Sequence, residues 1–458
     1  MLTLTFFAIL ALALAFFVLG RARATSVVGG ETRALHSRPN YHGTLALLMS
    51  AIAGLGVLFA IGIGWSVWVE RSLMGAIFDA MPDMSIIEAQ LVLSDARALA
   101  SGGIASKTDA LREQIAGLVQ SRENLQVWGT ALVSLLAAVL AGAWALRAIA
   151  PEWRARNRSE TIIRRILALT AAIAVATTVG IVLSLIFETI NFFNNIEWQV
   201  HKFLFGTTWS PLSGVSAGKL DPDKVGAIPL FAGTLLITVI AMLVAVPIGL
   251  LAAIYLSDFA SNRTRAWAKP MLELLAGIPT VVYGFFAAIT LAPFIRNSGE
   301  SIGLTIASES ALAAGIVMGI MIIPFISSLS DDVINSVPQS LRDGSYGLGA
   351  TKAETIRQVV LPAALPGIVS AVLLGVSRAV GETMIVVMAA GQGANLTANP
   401  LEAVTTVTVQ IVMLITGDTE ASTAAGPAFT LGFTLFCVTL LMNVVAQRIV
   451  HKYRELYD

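Results

Sequence analysis

Two charges inside one apolar run, Arg378 and Glu382 in VSRAVGETMIVVMAAG, carry the first chemistry legible in this chain. In a continuous helix over about 366–390, Arg378 falls near the middle, and i, i+4 spacing puts both groups on one face. An ionised side chain at that depth costs at least about 2.5–3.5 kcal/mol on insertion scales, so it needs a partner or a task. Arginine offers a planar fork that grips oxyanions bidentately and stays charged. With a carboxylate as exchangeable partner, the pair suits the passage of a phosphate-sized anion. The same residues would also serve as an ion pair that locks two helices. Gly381 between them lowers side-chain bulk and opens the backbone to close approach.

A second group lies in the polar island Asp343–Pro362, DGSYGLGATKAETIRQVVLP, between two strongly apolar segments. Leu341–Ser345 and Ala353–Gln358 read as two short helices broken near Gly349, where glycine allows positive φ. Pro362 and Pro366 stand where a helix would restart. Leu341, Tyr346, Leu348, Val359 and Val360 interleave with charge, so the hairpin has an apolar side that fits a groove on a soluble partner. The run Gly344–Thr351 begins like the phosphate-binding loop G-x-x-x-x-G-K-[ST]. Ala350 stands where that loop needs its lysine and no strand precedes it, so nucleotide phosphates find no counter-charge. The chain is therefore not expected to hydrolyse ATP. The histidines at 36, 42, 201 and 451 are scattered without ligand spacing, so neither a metal site nor a cofactor is expected.

The elements that must hold these residues are membrane helices. Of 458 residues, 56% are hydrophobic and only 13% charged, against about 25% charged in soluble domains. Zero net charge gives no argument for nucleic acid, and the single Cys437 excludes an internal disulfide. Hydrocarbon about 30 Å thick needs about 20 apolar residues per crossing. Segments of this kind cover about 2–20, 44–68, 127–147, 166–189, 229–257, 271–294, 311–329, 366–390 and 428–447. The first has no basic residue before its apolar run and Arg21 and Arg23 after it, as in an uncleaved anchor.

Arginines and lysines cluster at 21–38, 147–165, 263–269, 342–357 and 448–454, while 391–427 has none. Nine crossings with the tail inside satisfy this bias at every step. Residues 69–126 then lie outside, and SIIEAQLVLSDARALA and DALREQIAGLVQSRENL have helical spacing. Residues 403–415 are apolar but short, and read as an extracytoplasmic or re-entrant helix.

The island also fits a family template: an acidic residue, two small residues, glycine four positions on, then nine residues before Ile-x-Leu-Pro. Asp343, Gly344, Ser345, Gly349 and Val359-Val360-Leu361-Pro362 fill it, with Asp for Glu, Gly-Ser for Ala-Ala and Val for Ile. Together with FLFGTTWSP (203–211), ELLAGIPTVVYGF (273–285) and GETMIVVMAAG (381–391), this resembles the type I ATP-binding-cassette (ABC) importer permease family. Within that family it is most similar to the PstC-type subunits of bacterial phosphate importers.

The resemblance covers about 166–458. It implies an all-α, six-helix permease core preceded by a three-helix extension, 1–165, in the bacterial inner membrane. It further implies a PstA-like second permease, a PstB-like ATPase dimer and a PstS-like periplasmic phosphate-binding protein as partners. On this view Asp343, Gly344, Ser345, Gly349, Leu361 and Pro362 dock the ATPase, and Arg378 and Glu382 line the phosphate path. A permease for sulfate, molybdate or another oxyanion, and a membrane scaffold that senses phosphate, are the alternatives.

Overall fold

The computed structural model describes residues 2–82, 84–214, 220–417 and 421–454. Residues 1–176 and 177–458 form two compact units. The described residues hold nine helices long and apolar enough to cross a membrane, and they contain no named strand.

In the first unit, α1 (Leu2–Val27), α2 (Pro39–Ala80) and α4 (Ala110–Arg147) pack together, with α3 (Ile86–Ala100) between the last two in sequence. Small residues set the approach. A Cβ on Gly142 of α4 would lie 2.5 Å from the Phe16 ring of α1, so only glycine fits there. α2 and α4 run well past the lengths that a bilayer requires. Their excess, together with α3, encloses a small core of Leu73, Ile77, Val92, Leu93, Ile115 and Val119. Local chemistry fixes the ends: Ser85 and Glu88 form a capping box on α3, and Asp109 caps α4.

A buried ion pair braces this core. Arg112 Nε donates to Asp95 Oδ2 at 2.8 Å, and the Ser106 amide donates to Asp95 Oδ1 at 3.0 Å. The Arg112 hydrogen bond, helped by that amide, holds the Asp95 carboxyl below the ordinary carboxylate range. A depressed carboxylate pKa contributes stability that is present above the unfolded value and lost as pH falls through the folded one. This contribution to the 69–126 segment is thus expected to be present above about pH 5 and to be lost progressively below about pH 4. Asp95→Asn should flatten that acid limb in thermal melts followed by tryptophan fluorescence. An acid profile identical to wild type would remove the pair from this role.

α5 (Ala155–Asn195) runs from the first unit into the second, and its most apolar window is wholly exposed in the single chain. In the second unit α6 (Val200–Phe205) leads to α7 (Ile228–Ile254), which a π-turn extends to Phe259. Next come α8 (Asn262–Ala276), then α9 (Thr280–Phe286) and α10 (Ala292–Ser301) joined by a π-turn, and α11 (Ala311–Ser336). The apolar window of α11 is 61% buried, against 28% or less in the other spans, so α11 is the axis of this unit. Ile237 and Ala241 of α7 pack against Ala314, Val317, Met318 and Ile322 of α11.

Two spans are displaced from the expected positions. The segment at 271–294 lies instead at Thr280–Ser301. α8 is a separate helix carrying Arg263, Arg265, Lys269 and Glu273, and the chain turns at Gly277 and Pro279 before the crossing begins. The segment at 366–390 lies instead at Lys352–Val380, because the helix ends at Gly381. α12 (Gln339–Gly347) forms the loop helix that precedes this span. The span itself is built of α13 (Lys352–Thr355), a π-turn and α14 (Leu361–Val380). After it come α15 (Met384–Ala389), α16 (Val407–Thr416) and α17 (Ala421–Arg454). α16 has ten residues, about 15 Å at 1.5 Å per residue, half of what a crossing requires.

Candidate functional site

The polar island folds into a helical hairpin. α12 ends in a Schellman turn: Gly349 N–H donates to Tyr346 O at 2.9 Å and Ala350 N–H to Ser345 O at 3.2 Å. Gly349 takes φ +87°, the left-handed region that glycine tolerates best. Two residues later a new helix starts, with a capping box between Thr351 and Glu354. The Ser345 and Thr355 hydroxyls, 2.9 Å apart, clasp the two arms. The break near Gly349 is as expected from sequence, but the second arm is not a short helix. It runs on as the Lys352–Val380 span, so Pro362 and Pro366 lie inside a helix rather than at a restart. The π-turn over Ile356–Val360, closed by Leu361 N–H on Ile356 O, stands just ahead of Pro362, which has no N–H to give an α-helical ladder.

Side chains divide by face. Ile356 and Val360 are buried, and Val360, Ala364 and Ile368 pack on Ala253 and Ile334. Leu341, Tyr346 and Leu348 are exposed, Leu348 at 91%. Asp343 is exposed and accepts from Gln339 Nε2 at 3.0 Å. A Cβ on Gly344 would meet nothing within 4 Å, and Leu361 and Pro362 are half-buried.

Sequence reasoning missed what holds this hairpin. Arg342, buried in α12, donates to the Asp258 carboxylate and through Nη2 to Ile334 O at 2.9 Å. Beside it, buried Asp331 of α11 accepts from Arg265 Nη2 at 3.1 Å and from Lys269 Nζ at 2.8 Å. That bond to Asp331 raises the Lys269 ammonium above the ordinary lysine range. The i, i+4 spacing of Arg265 and Lys269, and an Asp331-Asp332 pair ending an apolar run, were the available signals.

Removing one member of a buried pair leaves the other uncompensated, at a cost of roughly 3–5 kcal/mol. Asp258→Ala is therefore expected to lower the melting temperature and uptake together. Asp258→Ala/Arg342→Met should recover most of the melting temperature. A single variant as stable as wild type would show that the pair does not anchor α12.

Arg378 and Glu382 are not paired with each other. Arg378 sits in the last turn of α14, not mid-span, exposed on the chain, its guanidinium carbon 5.8 Å from the centre of the Phe325 ring. Among the described residues no carboxylate lies within ion-pair distance of it. Glu382 lies beyond the helix end and is buried; its Oε1 accepts from Met384 N–H at 2.9 Å and Ile385 N–H at 3.3 Å. The expectation of one helix face and mutual neutralisation is thus corrected. Gly381 ends the helix, and the freed carboxylate satisfies the amides that start α15. Thr408 Oγ1 donates to Glu382 O at 2.9 Å, tying this break to α16.

Nine apolar spans among the described residues, with a charged helical hairpin ahead of one of them, define a multi-pass membrane protein. The family model described as "Binding-protein-dependent transport system inner membrane component" matches residues 245–455, and one described as "Phosphate ATP-binding cassette transporter" matches 6–177. The phosphate transport system permease protein PstC of Mesorhizobium japonicum is 32% identical over 321 residues, 64% of this chain and 93% of that protein. PstC of Haemophilus influenzae is 30% identical over 315 residues, 65% of this chain and 94% of that protein. A probable ABC transporter permease protein, YqgH of Bacillus subtilis, is 35% identical over 289 residues, 62% of this chain and 89% of that protein. The chain belongs to the PstC-type family of ABC importer permeases, as a multi-pass membrane protein.

Proposed function

We propose that this chain is the inner-membrane permease subunit that carries inorganic phosphate inward, driven by a separate ATPase. Relatives are named as phosphate permeases, and the family model matching residues 6–177 is described as "Phosphate ATP-binding cassette transporter". The observation that carries the anion reading is Arg378, whose guanidinium is braced by a ring face and, among the described residues, has no carboxylate competing for its donors. Arginine in that state offers bidentate hydrogen bonds to a tetrahedral oxyanion. Glu382 acts by fixing the helix break beside it.

The hairpin at 341–362 is the ATPase-docking element. Asp343, Gly344, Ser345 and Gly349 shape it, and Leu361 and Pro362 join it to the span. Its exposed Leu341, Tyr346 and Leu348 form the apolar patch that a groove would cover. A second permease of PstA type, a PstB-type ATPase dimer and a PstS-type phosphate-binding protein complete the assembly. Residues 1–165 are an extension of the permease core that begins at 166.

The test is ATP-dependent uptake of labelled phosphate in vesicles holding the full complex. Arsenate, of the same shape and charge, is expected to compete better than sulfate. If sulfate competes better, the substrate is another oxyanion.

A further inference from the structure

The first unit contains a groove that the transport function leaves unused. It measures about 640 Å³ and lies among the start of α2, the end of α4 and the start of α5. Its apolar lining comes from Leu45, Met49 and Ile162, with Trp144 exposed among them. Arg154, Arg158 and Arg165 also line it.

The wall that carries them is held firmly. His36 N–H donates to Pro151 O at 2.9 Å, Arg156 N–H donates to Ser37 Oγ at 3.2 Å, and Ala155 and Ser159 are buried. On α5, Arg158, Ile162 and Arg165 recur at helical spacing, so apolar and cationic groups share one stripe. Among the described residues Arg154, Arg158 and Arg165 have no acid within ion-pair distance, whereas Arg156 is held by Glu160 at 2.7 Å. Arg158 lies 5.5 Å from the centre of the Trp153 ring, a cation–π contact between two residues that line the groove. Glu152 is the one acid on the groove.

We propose that this groove binds one anionic glycerophospholipid of the cytoplasmic leaflet. Its phosphate would be held by Arg154, Arg158 and Arg165, and its acyl chain would lie on Leu45, Met49, Ile162 and Trp144. Three features favour lipid over free phosphate. The arginines fall where the positive-residue bias places the cytoplasmic interface. Tryptophan and arginine together mark headgroup depth. The groove sets apolar side chains beside the three arginines, as a molecule with a charged head and a hydrocarbon tail requires. Glu152 disfavours a second phosphate and accepts from a headgroup hydroxyl, so phosphatidylglycerol suits the groove.

The test uses the full complex purified in detergent and titrated separately with phosphatidylglycerol, phosphatidylcholine or inorganic phosphate. Retained lipid is read by native mass spectrometry and melting temperature by fluorescence. Phosphatidylglycerol is expected to be retained and to raise the melting temperature, and phosphatidylcholine to do neither. Each arginine removed should weaken retention about fivefold. Arg165→Gln should therefore show one such step and Arg158→Gln/Arg165→Gln two. Arg164→Gln, which removes a charge outside the groove, should match wild type. Equal melting of variants and wild type in phosphatidylcholine reports that all have folded. The proposal fails if the double variant retains phosphatidylglycerol like wild type, or if Arg164→Gln loses it equally. It also fails if the double variant abolishes stabilisation by inorganic phosphate rather than by lipid, since the groove would then be a site for the free ion.

Discussion

Arg378→Gln is expected to cut ATP-driven phosphate uptake roughly 10- to 100-fold, while the complex still assembles and retains basal ATP hydrolysis. The magnitude follows from hydrogen bonds to a charged group, about 1.5–3 kcal/mol, which a neutral amide cannot replace. Assembly should survive because the side chain is exposed on the chain and, among the described residues, forms no ion pair whose loss would strand a buried charge. Arg378→Lys should fall between the two, keeping the cation but losing the fork. Uptake by Arg378→Gln at the wild-type rate would remove this residue from the substrate path.

Gly349→Val is expected to reduce uptake at least as severely, through a different step. Gly349 holds φ +87° with open space around its Cα, so the damage is conformational rather than steric crowding. A left-handed non-glycine residue costs about 1–2 kcal/mol, and valine is worse placed than most because it is β-branched. The Schellman turn would loosen, and the two arms would lose their fixed angle. The protein should remain in the membrane, with ATP hydrolysis no longer driving uptake. Gly347→Ala, two residues away with no positive φ and nothing near its Cα, is the control expected to behave like wild type. Normal uptake by Gly349→Val, or equal loss in both variants, would separate the hairpin from coupling.

The parts of this architecture that sequence revealed are those governed by local rules. Long apolar runs announced the spans, because hydrocarbon leaves the backbone no other partner than itself. Gly349 announced a break between two helices, because a positive φ at a helix end is a local demand that glycine meets. The misplacements have the opposite character. Whether Gly381 ends a helix or sits within it depends on whether Glu382 finds a better partner than Arg378, and the amides of α15 supply one. Likewise, apolarity alone cannot separate α8 from the crossing at Thr280–Ser301, because α8 contributes leucines to the same run and the turn at Gly277 and Pro279 divides them. The Arg342–Asp258 pair joins residues 84 apart and had no local signature.

The π-turn ahead of Pro362 sets an azimuth. One surplus residue in a turn advances everything beyond it by about 100° around the helix axis. The compass bearing at which Leu348 leaves the membrane surface is therefore written into five residues, Ile356–Val360. Shortening that stretch by one residue would swing α12 about a quarter of a circle without altering a single side chain on it.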